Sequence, residues 1–226
     1  MIRHLSRLIA ILLLTALLPL AGVAQERTPP EADTVSEGDV SLQLTTPTTT
    51  DTVDKDAPYV ATSQRIVRRM LEVAGVSKKD VVYDLGSGDG RIPITAAKTY
   101  GARGVGIEID PDLVAKARAK AEAVGVADRT EFRQQDLFKT NLEEATVVAL
   151  YLWPEINVKL RPKLLRQLDP GDRIVSHDFR MGKWEPDRVV NAGKDKTGTA
   201  TIYLWVVPQD VPDRLMKVPP SADENE

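Results

Sequence analysis

Between residues 57 and 208 the chain alternates between short apolar runs and amphipathic stretches. The apolar runs have the length and composition of buried strands. The stretches between them repeat apolar side chains every three or four residues, as amphipathic helices do. This pattern predicts strands over 81–85, 104–109, 130–135, 146–152, 173–178, 186–192 and 199–207. It predicts helices over 64–74, 91–100, 111–124 and 155–168, the last of them broken at Pro162.

The order of these elements predicts an α/β domain. Strands alternate with helices up to residue 178, and the last two strands follow each other across a loop at 193–198. We therefore expect a doubly wound sheet of seven strands that is mostly parallel, with an antiparallel edge strand. Right-handed crossovers place a ligand at the C-terminal ends of the parallel strands. Polar side chains at those ends are the first candidates for a binding site.

The first predicted strand leads directly into a glycine-rich turn, since residues 81–90 read Val-Val-Tyr-Asp-Leu-Gly-Ser-Gly-Asp-Gly. Glycine lets the backbone approach a ligand closely, and the helix that follows presents its N-terminal N–H groups. Dinucleotide-binding folds use G-x-G-x-x-G, whereas Gly86, Gly88 and Gly90 form G-x-G-x-G after Asp84. This spacing resembles that of the Rossmann-like (class I) methyltransferases that depend on S-adenosylmethionine (SAM). SAM is therefore the expected cofactor.

Two further carboxylates follow later strands in the same way. Glu108 ends the second predicted strand, about 20 residues after the glycine turn, where an acidic side chain can accept ribose hydroxyls. Asp136 follows the third strand, where we expect a contact to the adenine amino group. Asp84 suits the cationic groups of SAM. Three acids in order, each after its own strand, predict one cofactor site.

The composition removes several kinds of site. The 226 residues carry a formal net charge of −3, so a general nucleic-acid binder with a basic face is not expected. The chain has no cysteine, which excludes disulfides, thiolate metal sites and cysteine nucleophiles. Its two histidines, His4 and His177, cannot form a metal site together because His4 lies in the leader. We therefore expect neither a nucleic-acid partner nor a metal.

Residues 1–24 have the layout of an export signal. Arg3, His4 and Arg7 precede an apolar run, and small residues lead to a cleavage site after Ala24. The expected organisation is a signal peptide at 1–24, a disordered acidic linker rich in Thr and Pro at 25–56, a SAM-dependent methyltransferase domain at 57–208 and a disordered tail at 209–226. The signal predicts a periplasmic or other extracytoplasmic location, where a supply of SAM is not expected. A membrane-tethered or cytoplasmic protein is the alternative.

Beyond this general pattern, the chain resembles one narrower family. The resemblance is carried by Asp-Ala-Pro-Tyr-Val-Ala-Thr at 56–62, Tyr-Asp-Leu-Gly-Ser-Gly-Asp-Gly-Arg at 83–91 and Asp-Leu-Phe at 136–138. These segments are similar to the ATP synthase c-subunit lysine methyltransferases and their bacterial relatives. The resemblance implies a seven-strand enzyme that methylates a protein lysine, and it leaves a membrane-proximal substrate open. The SAM contacts that it carries over are Tyr59, Asp84, Gly86, Gly88, Glu108 and Asp136.

The exits of the fourth and fifth strands supply the candidate catalytic residues. A lysine amine has to lose its proton before it attacks, since its free pKa is about 10.4, and a dry aromatic slot lowers that pKa. Tyr151 and Trp153 are expected to line such a slot, with the ring of Trp153 stabilising a cationic amine. His177 ends the fifth strand and could accept or relay the proton. Ordinary packing is the alternative interpretation of each residue.

Three other functions stay open at this point. A small-molecule methyltransferase would need a lid, and no large insertion is visible between the strands. A SAM-binding module without catalysis fits an exported protein, but it does not explain three retained acids. A dinucleotide-dependent dehydrogenase ranks last because of the glycine spacing. The leading hypothesis is a SAM-dependent protein-lysine methyltransferase.

Overall fold

The computed structural model describes residues 61–194 and 198–218 of the chain. Within these residues the helices are α1 (Gln64–Val73), α2 (Arg91–Tyr100), α3 (Pro111–Ala123) and α4 (Pro154–Gln167). The strands are β1 (Val81–Leu85), β2 (Arg103–Glu108), β3 (Thr130–Gln134), β4 (Val147–Leu150), β5 (Arg173–His177), β6 (Arg188–Lys194) and β7 (Thr199–Val206). Each element that the hydrophobic pattern predicts is present within a few residues of its expected bounds.

The strands of the described residues form one sheet of seven in the order β3-β2-β1-β4-β5-β7-β6. Strands β1 to β5 are parallel to one another, which the helical crossovers between them allow. Strand β7 runs antiparallel to both β5 and β6, so the antiparallel strand lies one position inside the edge. The predicted doubly wound, mostly parallel α/β sheet is confirmed. Because β1 to β5 point the same way, their last residues share one edge, called the C-terminal edge below.

The central strands β1, β4 and β5 are buried on both faces of the sheet. In β1, Val82 packs with α1 and α2 on one face, whereas Tyr83 and Leu85 pack on the face that α4 covers. Leu160 and Leu164 of α4 are fully buried on that second face. This two-sided burial explains why the strands appear in the sequence as continuous apolar runs.

Helix α4 is continuous, so the predicted break at Pro162 is wrong. Pro162 lies inside the helix and is buried. A proline removes one backbone hydrogen bond and crowds the preceding turn, but Leu160 and Leu164 anchor the helix to the core on both sides of it. Their burial outweighs the local preference of proline. The helix starts at Pro154, directly after Trp153, and thereby fixes the chain that leaves β4.

Helix α2 approaches β2 so closely that only glycine fits at position 104. A Cβ built on Gly104 would lie 2.5 Å from the carbonyl oxygen of Pro93 and 2.8 Å from its Cα. We predict that Gly104→Ala lowers the free energy of unfolding by about 3 kcal/mol, because backbone atoms have to move aside. Gly125→Ala is the control, since its Cβ would meet nothing within 4 Å at a φ of 70°, and it should lose only about 1 kcal/mol to backbone strain. Equal losses in urea unfolding would contradict this close packing.

The chain after β7 packs back against α4. The guanidinium of Arg161, a residue 3% exposed, donates to the carbonyl oxygens of Met181 and Leu215. It also donates to the carbonyl oxygen of Lys217. The composition predicts a disordered tail from residue 209 onward, but these contacts hold the chain against α4 as far as Lys217. A buried guanidinium requires such acceptors, and the sequence gives no sign of which residues supply them.

Several expectations lie outside the described residues. They are the signal peptide at 1–24, the linker at 25–56, the contact by Tyr59 and the last part of the tail at 219–226, and they stay predictions. No helix within residues 61–194 and 198–218 has the length and apolar character that crossing a bilayer requires.

Candidate active site

The glycine-rich turn between β1 and α2 has the backbone that its sequence predicts. Gly86, Gly88 and Gly90 have φ values of 79°, 52° and 76°, in the left-handed region that favours glycine. The N–H groups of Gly86 and Ser87 both donate to the carbonyl oxygen of Ile107 at 2.9 Å. The turn is therefore tied to β2, and the start of α2 lies at the C-terminal edge.

Asp84, the penultimate residue of β1, is a buried carboxylate. It is 3% exposed, and within the described residues no donor is found for its side chain. Burial, followed by the negative charges of Glu108 and Asp89, raises the pKa of Asp84 to about 8, and Arg91 offsets part of this rise. An acid in this state strongly prefers its neutral form, and a cationic ligand would reverse that preference.

Glu108 ends β2 and braces the glycine turn. Its Oε2 accepts a hydrogen bond from the N–H of Gly88 at 2.8 Å. Its Oε1 accepts from the N–H groups of Ile109 and Asp110 at 2.9 and 3.1 Å. A carboxylate has about four lone-pair sites, so the side chain keeps capacity for a further donor such as a hydroxyl. Glu108 thus joins the end of β2 to the turn that follows β1.

Asp136 follows the neighbouring strand, β3. The N–H of Gln135 donates to the carbonyl oxygen of Glu108 at 2.9 Å, so the chain leaving β3 stays beside the end of β2. The Oδ1 of Asp136 accepts from the N–H of Phe138 at 2.8 Å, and the Nζ of Lys139 lies 3.4 Å from Oδ2. The structure therefore brings the three predicted acids to the ends of three adjacent strands. Their role as cofactor contacts stays a prediction.

Asp89 anchors the turn on the helix side. It is 3% exposed, its oxygens accept from Arg91 at 2.7 and 2.8 Å, and Lys120 of α3 also pairs with it. Burial by itself would raise the pKa of Asp89, but the hydrogen bonds and charges of Arg91 and Lys120 outweigh burial and hold its pKa well below the ordinary range. Arg91 donates to the carbonyl oxygen of Thr62 as well. The turn, α3 and the chain before α1 are therefore linked through one ion-pair network.

The candidate catalytic residues cluster at the ends of β4 and β5. The ring of Tyr151, just after β4, has its centroid 4.2 Å from that of His177 and 5.9 Å from that of Phe179. Trp153 also contacts Phe179, with 5.2 Å between centroids, and is 46% exposed. These four rings are called the aromatic cluster below. Since β4 pairs with β1 and β5, the cluster lies beside the acids along the same edge.

His177 forms the buried base of this cluster. It is 0% exposed, its ring packs against Tyr151, and its Nε2 lies 3.3 Å from the Oδ2 of Asp178. A side chain that enters from solvent meets Trp153 and Tyr151 before the imidazole. The imidazole therefore has no direct exposure to solvent, and its role as a proton relay stays a prediction.

Sequence reasoning does not find Asp178 or Phe179. Phe179 completes the aromatic cluster. Asp178 has a φ of 59°, and it is the one non-glycine residue with positive φ in the part of the chain that the structure describes. The available signal is the string Ser-His-Asp-Phe at the end of an apolar strand. Aspartate tolerates a left-handed backbone in turns, but nothing in that string indicates that it adopts one here.

The residues at the C-terminal edge fit SAM. A nucleoside with cationic groups needs carboxylates for its hydroxyls and charges, and it needs a backbone that it can approach closely. Glu108 has acceptor capacity left, Asp84 is a buried carboxylate, and the glycine turn lies between them. Within the described residues no group of His, Asp and Glu side chains could hold a metal ion.

The sequence is similar to one family of methyltransferases and to several of its members. The sequence profile of the ANTKMT methyltransferase domain matches residues 84–188. A protein-lysine N-methyltransferase from Saccharolobus islandicus (strain REY15A) is 44% identical over 151 residues, which are 66% of this chain and 93% of that protein. An ATP synthase c-subunit lysine N-methyltransferase from Xenopus laevis is 34% identical over 142 residues, which are 63% of this chain and 62% of that protein.

A solved structure shares both the fold and the cofactor chemistry. It is described as the crystal structure of an RNA methyltransferase from Salinibacter ruber in complex with S-adenosyl-L-homocysteine. It is 59% identical in sequence with a TM-score of 0.65, and the match covers 70% of this chain and 100% of that chain. S-Adenosylhomocysteine is what remains of SAM after methyl transfer. The reported relatives are therefore all described as methyltransferases, but with different acceptors.

Proposed function

Because this chain belongs to the class I SAM-dependent methyltransferases with an ANTKMT methyltransferase domain, we propose that it transfers a methyl group to the side-chain amine of a protein lysine. The observation that carries this proposal is the position of the aromatic cluster, which opens to solvent at Trp153 and adjoins the acids of the C-terminal edge. A relative with 44% identity is described as a protein-lysine N-methyltransferase. The match to the Xenopus laevis enzyme spans 62% of that protein, so its particular substrate is not transferred to this chain.

The acids and the glycine turn are the proposed SAM site. Glu108 accepts from a ribose hydroxyl with its remaining lone pair, and Asp136 accepts from the adenine amino group. Asp84 balances the positive charge of the ligand, and Gly86 and Gly88 leave the backbone approachable. The burial of Asp84 and the hydrogen bond from Gly88 to Glu108 support these assignments. When bound, SAM supplies a methyl group activated by its sulfonium.

The aromatic cluster is the proposed acceptor site. A lysine has to arrive with a neutral amine, and contact with the rings of Tyr151, Trp153 and Phe179 removes water and lowers its pKa. Alignment of the amine and exclusion of water are the main contributions that a protein makes to such a displacement. The methylated amine carries a positive charge again, which the exposed ring face of Trp153 stabilises. His177 packs against the ring of Tyr151 from the buried side and so holds that wall of the acceptor site in place.

RNA is the second candidate acceptor, because the Salinibacter ruber protein with 59% identity is described as an RNA methyltransferase. A nucleobase could stack on the same aromatic cluster. The net charge of −3 favours the lysine proposal, since proteins that bind RNA usually present a basic face to the phosphates.

We predict that the full chain, incubated with methyl-labelled SAM and a cell extract, labels protein lysine. Acid hydrolysis of the labelled fraction should release methyllysine, and protease but not ribonuclease should remove the label. Excess S-adenosylhomocysteine is the control and should abolish labelling. Label that ribonuclease removes would replace lysine by RNA as the acceptor, and label in extractable metabolites would indicate a small molecule. A complete lack of label would indicate a SAM-binding module without catalysis.

A further inference from the structure

We propose that Asp178 is a positioning residue that holds Phe179 in the wall of the acceptor site, an inference that rests on the proposed role of the aromatic cluster. Asp178 follows His177, the last residue of β5, and has a φ of 59°. The N–H of Phe179 donates to the carbonyl oxygen of His177 at 2.7 Å. This bond closes a three-residue γ-turn of the rare, positive-φ type. Strain of this kind persists only where the surroundings enforce it, and it concentrates at functional sites.

Strand β7 enforces the turn at Asp178. The backbone N–H of Asp178 donates to the carbonyl oxygen of Thr201 at 2.7 Å. The side-chain Oδ1 of Asp178 accepts from the N–H of Thr201, also at 2.7 Å. The side-chain carboxylate of Asp178 thus accepts the hydrogen bond that a backbone carbonyl of β5 would otherwise accept from β7. The hydrogen bonding between the two strands therefore continues one residue beyond the end of β5. The other oxygen lies 3.3 Å from the Nε2 of His177.

The turn decides where Phe179 lies. A straight continuation of β5 would carry residue 179 onward along the sheet. Instead, its ring lies against Trp153 and Tyr151, at 5.2 and 5.9 Å between centroids. From the α4 side, the Nδ2 of Asn157 reaches the carbonyl oxygen of Phe179 at 3.5 Å, which is at the long limit for a hydrogen bond. The two 2.7 Å bonds to β7 are therefore the main anchor of Phe179.

Three substitutions at position 178 separate the possible contributions. Glycine adopts positive φ without strain but offers no acceptor to Thr201. Asparagine tolerates positive φ and keeps an Oδ1 that can accept from the same N–H, although it loses the negative charge. Alanine has neither property. If the side chain acts as an anchor for the turn, asparagine should replace it and glycine should not.

The test incubates the full chain with methyl-labelled SAM and increasing concentrations of cell extract. The readout is the total label in macromolecules of the extract, whether protein or RNA. Asp178→Gly and the companion variant Phe179→Leu should raise the half-saturating extract concentration about tenfold, because a displaced wall misaligns the acceptor. Asp178→Asn should stay within about twofold of the unchanged protein. The affinity for S-adenosylhomocysteine should change by less than about twofold in all variants, since the proposed SAM site belongs to other strands.

Three outcomes would overturn the proposal. The first is an Asp178→Gly protein that keeps its half-saturating extract concentration. The second is an Asp178→Asn protein as impaired as Asp178→Gly, because the charge rather than the anchor would then matter. The third is a parallel loss of S-adenosylhomocysteine affinity, which would indicate a general structural defect.

A second readout needs no acceptor, so it separates this inference from the proposed function. Trp153 can be labelled with fluorotryptophan, and its fluorine NMR resonance is assigned by its loss in Trp153→Phe. Because Trp153 contacts Phe179, Asp178→Gly should shift or broaden that resonance and Asp178→Asn should leave it in place. An unchanged resonance in Asp178→Gly overturns the positioning role. If the unchanged protein labels nothing, the methyl-transfer proposal fails and this resonance still decides the role of Asp178.

Discussion

Replacing Asp84 by asparagine should make the ligand-free protein more stable and its SAM complex weaker. At about pH 8.5 we expect Asp84→Asn to raise the melting temperature by about 5 °C. We expect the same change to weaken SAM binding by about tenfold or more, because a charge-assisted contact is lost. Thermal melts and calorimetric titration with SAM measure the two effects on one protein sample.

The opposite signs follow from the ionisation of Asp84 inside the fold. Burial, followed by the charges of Glu108 and Asp89, raises the pKa of Asp84 from 3.8 to about 8. The folded protein therefore holds a proton that the unfolded chain releases. The stability from this proton is fully present below pH 3.8, falls as the pH rises, and is lost once the pH has passed about 8. Asparagine stays neutral and avoids that loss. In the proposed site SAM pairs with the ionised carboxylate, so the affinity of the unchanged protein should rise through about pH 8, with proton release on binding.

Asp80, at the other end of the same strand, is the matched control. Burial would raise its pKa, but hydrogen bonds from Ser77, Thr146 and Arg173 outweigh burial and lower the pKa of Asp80. The stability from this group is present above its unfolded pKa and is lost as the pH falls. Asp80→Asn should therefore lower the melting temperature and leave SAM affinity unchanged. If Asp84→Asn also lowered stability at about pH 8.5, or bound SAM normally, the assignment of Asp84 would be wrong.

The C-terminal edge could be predicted from the sequence because its signals are local. The spacing of Gly86 and Gly88 reflects the backbone of a single turn, and Glu108 and Asp136 each stand at the end of a predicted strand. The right-handed crossover rule then brings these strand ends to one edge without further information. The same alternation of elements predicts seven strands that are mostly parallel, but it does not give their order, in which β7 lies inside β6.

The opposite pKa shifts of Asp80 and Asp84 could not be predicted, because they depend on residues far away in the chain. Asp80 directly precedes β1 and Asp84 lies near its end, but the partners of Asp80 include Thr146 and Arg173 from the β4 and β5 regions. The charge that raises the pKa of Asp84 comes partly from Glu108 on β2. A local pattern shows a carboxylate and its strand, but not which charges the fold places around it.

Backbone strain and helix continuity escape sequence reasoning for the same reason. The φ of Asp178 is enforced by Thr201, which lies on β7 and pairs with the end of β5. Pro162 stays within α4 because the leucines around it are buried against the sheet. In both cases tertiary contacts overrule the preference of a single residue.

The structure increases the loss of SAM affinity that the sequence predicts for removal of the Glu108 side chain. The loss of its ribose hydroxyl partners alone predicts a weakening of SAM binding by about 1–3 kcal/mol. The side chain also accepts hydrogen bonds from the N–H groups of Gly88, Ile109 and Asp110. Its removal therefore takes an acceptor away from three backbone donors as well as from the ligand. Because Gly88 belongs to the glycine turn, both losses affect the cofactor site.

We therefore expect Glu108→Ala to weaken binding of S-adenosylhomocysteine by about 4 kcal/mol, roughly a thousandfold. Its melting temperature should fall as well, since buried donors of the turn lose their acceptor. Glu108→Gln should have an intermediate effect. The amide keeps one oxygen that accepts hydrogen bonds, but its NH2 group replaces the other oxygen and faces a backbone N–H, which is also a donor. Glu122→Ala, at an exposed position of α3, is the control and should leave both quantities unchanged. Calorimetric titration gives the affinities.

The two parts of the Glu108 effect can be separated with a ligand that lacks the ribose hydroxyls. If Glu108 binds those hydroxyls, Glu108→Ala should weaken the dideoxy form of S-adenosylhomocysteine by about 2 kcal/mol less than it weakens the parent ligand. The remaining loss, common to both ligands, then measures the bracing of the turn through Gly88. Equal losses for the two ligands would mean that Glu108 acts through the turn alone. The ribose would then lie elsewhere along the C-terminal edge, and the assignment of this acid to the sugar would be wrong.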